Sequence, residues 1–262
     1  MEVLYGLHPV EEAVRSGSRR LDCVMLARER GDARLERLAQ VCREAGVRIS
    51  LESRDALTRV SRTDAHQGVV ALVRERSFLD LEDLLNHRKE GESHRFFLAL
   101  DGIEDPHNLG ALLRTADGAG VDGVLLPERR SAPVSATVAK TSAGASEHVR
   151  IARVTNLVRA LEQLKLANVW VLGLDERGSP DYMDFDFRTD CCLVLGREGA
   201  GLHDLVKKTC DHLLRIPMAG AVSSLNVSVA GAVVMYEALR QRRQPLAAKP
   251  ATTVKPRKGL GS

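Results

Sequence analysis

Hydrophobic positions in the first 73 residues follow two different periods. Short apolar runs of strand length predict strands at residues 3–5, 21–27, 47–51 and 68–73. Between these runs, apolar residues recur at helical spacing and predict helices at 9–16 and 33–45, the second with Asp32 as a candidate N-cap and Gly46 as its stop. The pattern therefore predicts a small α/β module at 1–73.

The pattern changes after this module. Residues 74–94 contain FLDLEDLLNHRKEGES, a short amphipathic helical turn followed by a polar cluster, which is typical of a linker. From residue 95 onward, buried-type strands at 95–101, 121–126, 169–174 and from Cys191 alternate with helices near 136–142 and 156–167. This order predicts a second domain at 95–243, with a mostly parallel sheet covered by helices.

The last patterned segment, RIPMAGAVSSLNVSVAGAVVMYEAL at 215–239, predicts a strand, a tight turn of small residues and a helix. From Asn226 onward, apolar or small residues occur on every helical face, which predicts a helix buried all round. The polar residues Ser223, Ser224 and Asn226 cluster at its start. Side chains there can cap the helix, and exposed N–H groups there can bind a ligand, so both interpretations stay open.

Composition sets broad limits on the class of protein. The chain has 262 residues, of which 44% are hydrophobic and 28% charged, as in a soluble globular protein of one or two domains. No apolar run approaches the roughly 18 residues of a membrane span, and the first nine residues lack the pattern of a secretory signal. We therefore expect a cytoplasmic protein without a membrane partner. The five cysteines form no CxxC pair, which predicts buried thiols rather than disulfides or a zinc site.

Charge is unevenly distributed along the chain. Seven basic residues and no acids lie from Arg240 to the end, and the rest of the chain holds 31 basic against 35 acidic residues. Residues 244–262 are rich in Pro, Lys, Thr and Gly, which predicts a disordered basic tail. The first module carries arginine and no lysine, which suits contacts with RNA. Acids lie among these arginines, however, so a salt-bridged surface is equally compatible.

A first polar constellation follows the strand at 95–101. The stretch DGIEDPHNLGALLRTADGAG turns at Asp105 and continues as a helix that Asn108 can cap, with Arg114 six residues further on. Ligands of open α/β sheets bind at the carboxyl edge of the strands, where this loop lies. Taken singly, Asn108 is also explained as a cap and Arg114 as a surface ion pair.

A glycine-rich turn follows the strand that begins at Cys191. In CCLVLGREGAGL, the residues Gly196, Gly199 and Gly201 surround Glu198 before the next helix. Glycines at such a turn let the backbone approach a ligand and direct N–H groups at it. The spacing differs from the dinucleotide-binding pattern, and no GK[ST] follows. A nucleoside cofactor without a triphosphate therefore fits better than ATP.

Three stretches together resemble the motifs of a known superfamily. NLGALLRTADGAG, LVLGREGAGL and IPMAGAVSSLNVSVAGAV are similar, in this order, to the three motifs of the SPOUT superfamily of S-adenosylmethionine-dependent RNA methyltransferases. The chain looks most like the TrmH/SpoU branch, which methylates the ribose 2′-hydroxyl. GLHPVEEAV and AHQGVVA further resemble the bacterial members that modify a guanosine in the P-site loop of 23S ribosomal RNA. The resemblance covers residues 1–243.

The resemblance implies a fold, a cofactor and partners. The expected fold is α/β, with a carboxy-terminal SPOUT domain that has a mostly parallel sheet and a deep trefoil knot, preceded by a small ribosomal-protein-like (L30e/L7Ae-like) RNA-binding domain. The expected cofactor is S-adenosylmethionine, without a metal. The expected partners are 23S rRNA or a pre-ribosomal particle and a second copy of the chain in a homodimer, in the context of ribosome biogenesis.

The resemblance also assigns roles to individual residues. It implies a catalytic set made of Asn108, Arg114, Glu198, Ser224 and Asn226. It implies a cofactor pocket, contacted largely through backbone groups, made of Leu195, Gly196, Ile216, Met218, Ser224 and Leu225. All of these residue types are present at the matching positions.

The role of Arg114 has two versions. Members of the superfamily use this arginine to activate the 2′-hydroxyl, sometimes as a general base. A guanidinium with a pKa above about 12 has no lone pair to accept a proton. We therefore expect Arg114 to hold the hydroxyl and a nearby phosphate.

Two other functions stay open. A related enzyme could act on transfer RNA or on another ribosomal site, such as the one whose methylation blocks a thiopeptide antibiotic. A non-catalytic RNA-binding or assembly factor could also retain the fold, although the five intact polar residues argue against it.

Overall fold

The computed structural model describes residues 1–28, 32–87 and 94–244. Its first part is a four-stranded sheet in the order β1-β4-β2-β3, in which β4 is antiparallel to β1 and β2, and β3 is parallel to β2. The elements are β1 (Glu2–Tyr5), α1 (Leu7–Ser16), β2 (Leu21–Ala27), α2 (Ala33–Glu44), β3 (Ile49–Glu52), α3 (Arg54–Ser61) and β4 (Val69–Val73). The predicted α/β module is confirmed, and Asp32 caps α2 as predicted. Helix α3 was missed because Leu57 is its one buried residue, which leaves no apolar stripe to recognise.

The second part is a six-stranded sheet in the order β10-β8-β9-β5-β6-β7. Its elements are α4 (Leu81–Asn86), β5 (Phe96–Leu100), α5 (Pro106–Gly118), β6 (Gly123–Pro127), α6 (Ala136–Thr141), β7 (Ile151–Val154), α7 (Leu157–Leu166), β8 (Trp170–Leu174), β9 (Cys191–Leu195), α8 (Asp204–Thr209), β10 (His212–Leu214) and α9 (Val227–Arg243). Every pairing within it is parallel, so the predicted parallel α/β fold is confirmed. Strand β7 was not predicted, and the trefoil knot stays a prediction.

Both faces of the six-stranded sheet are buried. Phe96, Leu98 and Leu100 of β5 point to the face covered by α5 and α9, while Phe97 and Ala99 point to the face covered by α4, α7 and α8. Successive strand residues alternate between faces, and burial on both sides explains the continuous apolar runs that the sequence shows.

The segment predicted as a linker packs partly on this sheet. Leu81 and Leu84 of α4 are buried, and the Leu79 N–H donates to the Ile151 carbonyl at 3.0 Å. Residues before 95 therefore already pack against the six-stranded sheet. The domain limits at 73, 94 and 243 stay a prediction, and the predicted tail lies, apart from Gln244, outside the described residues.

A buried ionic cluster joins the two sheets. Glu147 is fully buried and accepts two hydrogen bonds from Arg19, at 2.7 and 2.8 Å. Arg76, between the two parts, lies 3.1 Å from the same carboxylate, and Glu2 also pairs with Arg19. Burial alone would raise the pKa of Glu147, but the two guanidiniums outweigh this effect and hold its pKa below the ordinary value. The contact therefore fixes one sheet against the other through charge.

We expect Glu147→Gln to lower the free energy of unfolding by about 3–5 kcal/mol, because it leaves the buried Arg76 guanidinium without a charge partner and Arg19 with Glu2 alone. The depressed pKa means that this stabilisation is complete above the unfolded-state pKa of about 4 and is lost as pH falls through the lower, folded-state pKa. Urea unfolding at pH 7 and at successively lower pH measures both effects. Equal stability of the two proteins at pH 7 would contradict the assigned role. Glu176→Gln, at an exposed carboxylate, is the control.

Two predictions for residues 215–239 were wrong. The strand ends at Leu214, and residues 215–226 form neither strand nor helix before α9 begins at Val227. Helix α9 is not buried all round, because Val229 and Tyr236 are 49% and 52% exposed. The opposite side packs tightly: a Cβ at Gly231 would lie 2.7 Å from both Leu112 and Leu195. Small residues thus serve close packing on one side of this helix only.

Arg242 is a structural residue rather than part of a free basic tail. Its guanidinium donates to the carbonyls of His94, Arg95, Phe187 and Thr189 at 2.8–3.0 Å and lies over the Phe96 ring. Arg240 likewise pairs with Glu237. Two of the seven basic residues counted from Arg240 onward are therefore engaged in contacts, and charge counting cannot detect the carbonyl groups that folding brings to Arg242.

Candidate active site

The candidate site begins where β5 enters α5. Asp105, not Asn108, caps this helix: its carboxylate accepts hydrogen bonds from the His107 and Asn108 N–H groups at 3.0 and 3.3 Å. The prediction that Asn108 caps the helix was wrong. The helix begins at Pro106, so the cap position is Asp105, whose carboxylate accepts hydrogen bonds from N–H groups of the first turn. The Asn108 side chain is consequently left for other contacts.

Three residues distant in sequence meet at this edge of the sheet. The Asn108 side-chain amide donates to a Glu198 carboxylate oxygen at 3.1 Å. The Asn226 amide donates to the Asn108 carbonyl oxygen at 3.0 Å and to Glu198 at 3.3 Å. Asn226 also caps α9 by accepting from the Ser228 N–H, so its amide orientation is fixed. The network holds one carboxylate and two amides on a surface open to solvent.

A tight glycine turn carries Glu198. The Arg197 and Gly201 backbones exchange two hydrogen bonds, at 3.0 and 2.9 Å, and Gly199 and Gly201 have φ values of +73° and +67° that favour glycine. A Cβ on Gly196 would lie 2.3 Å from the Gly201 carbonyl carbon. Only glycine at 196 allows the two ends of this loop to pass so closely.

A cleft of about 660 Å³ opens beside the network. All six residues predicted to bind the cofactor line it: Leu195, Gly196, Ile216, Met218, Ser224 and Leu225. Glu198 and Asn226 also border the cleft, so the network stands at its mouth. The volume is in the range of small-molecule sites, and the backbone of residues 195–201 forms one wall.

Two hydrogen-bonded pairs near the cleft, each with an aspartate, were not predicted from the sequence. Asp175, directly after β8, receives a 2.7 Å hydrogen bond from Lys207, and both residues line the cleft. Burial would raise the pKa of Asp175, but the hydrogen bonds from Lys207 and the Arg177 N–H outweigh this effect and hold the pKa below its ordinary value, so the carboxylate stays ionised. Asp101, directly after β5, binds the His203 N–H and ring at 2.7 and 2.8 Å. Each aspartate is the first residue after a buried strand. This position at a strand end is the feature of the sequence from which both could have been identified.

Arg114 and Ser224 do not join the network. Arg114 lies six residues after Asn108, about 9 Å along α5, on the side opposite the buried leucines. Its guanidinium makes no hydrogen bond or ion pair within the described residues. Ser224 is exposed on the 215–226 loop. The structure thus brings together three of the five predicted catalytic residues.

The described residues contain neither a cluster of metal-ligating side chains nor a helix that could span a membrane. No group of three or more His, Cys, Asp or Glu side chains there is arranged to hold a metal ion. No helix in the same ranges has the length and apolar character to cross a membrane.

Two family profiles together match most of the chain. The SpoU rRNA Methylase family matches residues 95–236. A second profile, RNA 2′-O ribose methyltransferase substrate binding, matches residues 3–79. The first match contains all five predicted catalytic residues, and the second contains the four-stranded sheet except its first residue, Glu2.

Individual proteins are similar over nearly their full length. The 23S rRNA (guanosine-2′-O-)-methyltransferase RlmB of Ralstonia nicotianae is 42% identical over 92% of this chain and 96% of its own. A putative TrmH family tRNA/rRNA methyltransferase, YacO of Bacillus subtilis, is 40% identical over the same shares. The crystal structure of the SpoU methyltransferase AviRb from Streptomyces viridochromogenes, in complex with AdoMet, aligns with a TM-score of 0.75 at 28% identity, over 92% of this chain and 90% of that one.

Proposed function

The chain belongs to the SpoU rRNA methylase family, and from this we propose that it transfers a methyl group from S-adenosylmethionine to the ribose 2′-hydroxyl of a guanosine in the P-site loop of 23S ribosomal RNA. The observation that carries the proposal is the meeting of Asn108, Glu198 and Asn226 at the mouth of the cleft. The similarity to RlmB supports the choice of RNA and nucleoside.

The cleft fits S-adenosylmethionine. Its volume of about 660 Å³ suits a nucleoside with an amino-acid side chain. Three glycines of its lining, Gly196, Gly199 and Gly201, have only backbone groups with which to contact the ligand. Leu195, Ile216 and Met218 would enclose the adenosine with apolar surface. When bound, the sulfonium supplies a methyl group that is already electrophilic, so positioning of the acceptor hydroxyl is the protein's main task.

The polar residues divide this task. Glu198 accepts from two amides, which holds its carboxylate and both amide planes in one orientation. Asn108 and Asn226 would orient the ribose, and Ser224, which lines the cleft, would contact the ribose or the cofactor. Arg114, exposed and unpaired among the described residues, would hold the 2′-hydroxyl and the adjacent phosphate.

A homodimer supplies the most direct way to bring Arg114 to a cleft. Val229 and Tyr236 lie one above the other on the exposed side of α9, and α9 packs along α5, where a Cβ on Gly118 would lie 3.0 Å from the Tyr236 hydroxyl. Arg114 is on the exposed side of α5, one turn before Gly118. A second copy of the chain docked on this face would bury the apolar side chains of Val229 and Tyr236. Arg114 of one copy would then lie against the surface of the other copy.

We expect Val229→Asp/Tyr236→Asp to convert a dimer into a monomer and to remove methyl transfer, because two charges would be buried in the contact. Analytical ultracentrifugation and transfer of labelled methyl groups measure the two effects. Leu166→Asp, at an 85% exposed apolar residue on α7, is the matched control and should change neither. A double variant that stays dimeric would show that the interface lies elsewhere.

The substrate is tested by mapping 2′-O-methyl groups in ribosomal RNA from cells with and without the gene, by mass spectrometry. The proposal predicts loss of one methyl group on the P-site-loop guanosine. If that guanosine is unchanged and a methyl group is lost from a transfer RNA or another ribosomal site, the related enzyme with a different target is correct. The similarity to YacO, which is described as a putative tRNA/rRNA methyltransferase, is compatible with that alternative.

The wider context is part of the same proposal. We infer a cytoplasmic enzyme that acts during ribosome assembly, on free 23S rRNA or on a pre-ribosomal particle, with residues 1–73 binding RNA, 74–94 connecting and 95–243 catalysing. A non-catalytic assembly factor would instead be indicated if an inactive Arg114 variant restored every function of a strain without the gene.

A further inference from the structure

We propose that Arg129 and Arg130, on the loop between β6 and α6, bind backbone phosphates of the RNA where it passes from the amino-terminal module to the methyl-transfer site. The inference rests on the proposed function, because it requires an RNA substrate. It assigns a binding role to a loop outside the cleft and outside the Asn108–Glu198–Asn226 network.

Both arginines are exposed and have no partner in the part of the chain that the structure describes. Neither guanidinium makes a hydrogen bond, an ion pair or a ring contact within the described residues. Glu128 precedes them and makes no ion pair with either. Many other arginines of this chain are engaged, as Arg19, Arg95 and Arg242 illustrate. Each guanidinium carries a planar fork of N–H donors, which suits the oxygens of a phosphate.

The loop is held rigidly at the functional edge of the sheet. It leaves the carboxyl end of β6, beside β5, which leads into the Asn108 turn. The Glu128 N–H donates to the Val154 carbonyl at 3.0 Å, and the Ala132 N–H donates to the Ile103 carbonyl, within the β5–α5 turn, at 2.8 Å. Ala132 and Val134 are buried. The two arginines are therefore presented by a loop that is fixed at both ends.

The backbone at Arg130 is unusual for its residue type. Its φ of +57° lies in the left-handed region, which residues other than glycine and asparagine seldom adopt, and it is not the cap of a helix. Conformations of this kind persist where the surroundings impose them, and they are concentrated at functional sites. Here the imposed turn sets the side chain of an arginine at the surface.

The loop also stands next to the junction between the two modules. Helix α6 begins a few residues later and packs on the first module: Ala139 belongs to that module's core, and Lys140 donates to the Ala65 carbonyl at 2.8 Å. An RNA strand bound by the first module and entering the site at Asn108 would cross this junction. The two free charges lie along that route, where phosphate contacts fix position without reading sequence.

The test compares wild-type protein with Arg129→Gln/Arg130→Gln in transfer of labelled methyl groups to 23S rRNA at several salt concentrations. We expect the KM for RNA to rise on the order of tenfold at moderate salt, with kcat at saturating RNA and the affinity for S-adenosylmethionine within twofold. The slope of log KM against log salt should fall by about 1.4 for single-stranded or 1.8 for double-stranded contacts. Arg129→Lys/Arg130→Lys, which keeps the charges, should retain most of the slope.

The matched control removes two free charges from the other face of the sheet. Arg159→Gln/Lys208→Gln alters exposed residues of α7 and α8 and should leave the KM and the slope unchanged. The inference is overturned if the Arg129/Arg130 variant matches wild type, if the control shows the same change, or if kcat falls instead of KM rising. A wild-type protein that transfers no methyl group to any RNA would instead overturn the proposed function.

Discussion

Replacement of Arg114 by alanine should lower kcat for methyl transfer by at least about 10³-fold while leaving the affinity for S-adenosylmethionine within twofold. The guanidinium is exposed and makes no bond with a described residue, so its removal leaves no buried group unsatisfied and costs little stability. Its proposed partners, the 2′-hydroxyl and a phosphate, are charged or become more negative in the transition state. Loss of such a preorganised donor is typically worth about 10²–10³ in rate, and loss of alignment adds to it.

Two measurements on Arg114→Ala and two comparison variants separate the possible roles. Single-turnover methyl transfer gives the chemical step, and calorimetry gives the affinity for the cofactor. Arg114→Lys keeps the charge but not the planar fork, so it should recover only part of the rate. Arg159→Ala, at an exposed arginine on α7, is the control for general loss of surface charge. A cofactor affinity reduced as strongly as the rate would place Arg114 in the binding site instead.

Replacement of Gly196 by alanine should weaken binding of S-adenosylmethionine by at least about 100-fold, equivalent to about 2.7 kcal/mol. The added Cβ would lie 2.3 Å from the Gly201 carbonyl carbon and 2.4 Å from the Leu202 nitrogen. These are backbone atoms, so the loop itself must move rather than a side chain. Since this loop forms a wall of the cleft and carries Glu198, both the cofactor pocket and the amide network should be displaced.

Gly220→Ala is the matched control for Gly196→Ala. Gly220 lies in the 215–226 loop, has no positive φ, and a Cβ there meets nothing within 4 Å. Calorimetric titration with S-adenosylmethionine, together with thermal unfolding to confirm the folded state, compares the two variants. If Gly196→Ala remained folded and bound the cofactor as wild type does, the cleft at residues 195–201 would not be the cofactor site.

The fold was predictable where burial imposes a period on the sequence. The apolar runs of β2, β5 and β9 and the amphipathic spacing of α2 and α7 follow directly from which faces are covered. Elements that bury little were missed, as α3 shows. The exposed face of α9 was missed for the opposite reason: Val229 and Tyr236 are apolar although the single chain does not cover them.

The candidate site was predictable through resemblance more than through spacing. Asn108 and Glu198 are 90 positions apart, and Asn108 and Asn226 are 118 apart. No local pattern joins them. Asn108 and Glu198 meet because β5 and β9 are adjacent parallel strands whose carboxyl ends share one edge, and Asn226 meets both because α9, which it caps, packs against α5. The Asp175–Lys207 pair belongs to the same edge and was missed because neither residue lies in a recognised motif. The order of the strands in the sheet, which the sequence leaves open, was needed to predict that these residues meet.

The central claim is that this chain methylates a ribose 2′-hydroxyl of RNA from S-adenosylmethionine. Purified protein incubated with labelled S-adenosylmethionine and 23S rRNA, followed by digestion and mass spectrometry of the nucleosides, tests it most directly. The account predicts label in 2′-O-methylguanosine, absent when Arg114→Ala replaces the wild-type protein. Label confined to a base, or no label with any ribosomal or transfer RNA, would contradict it.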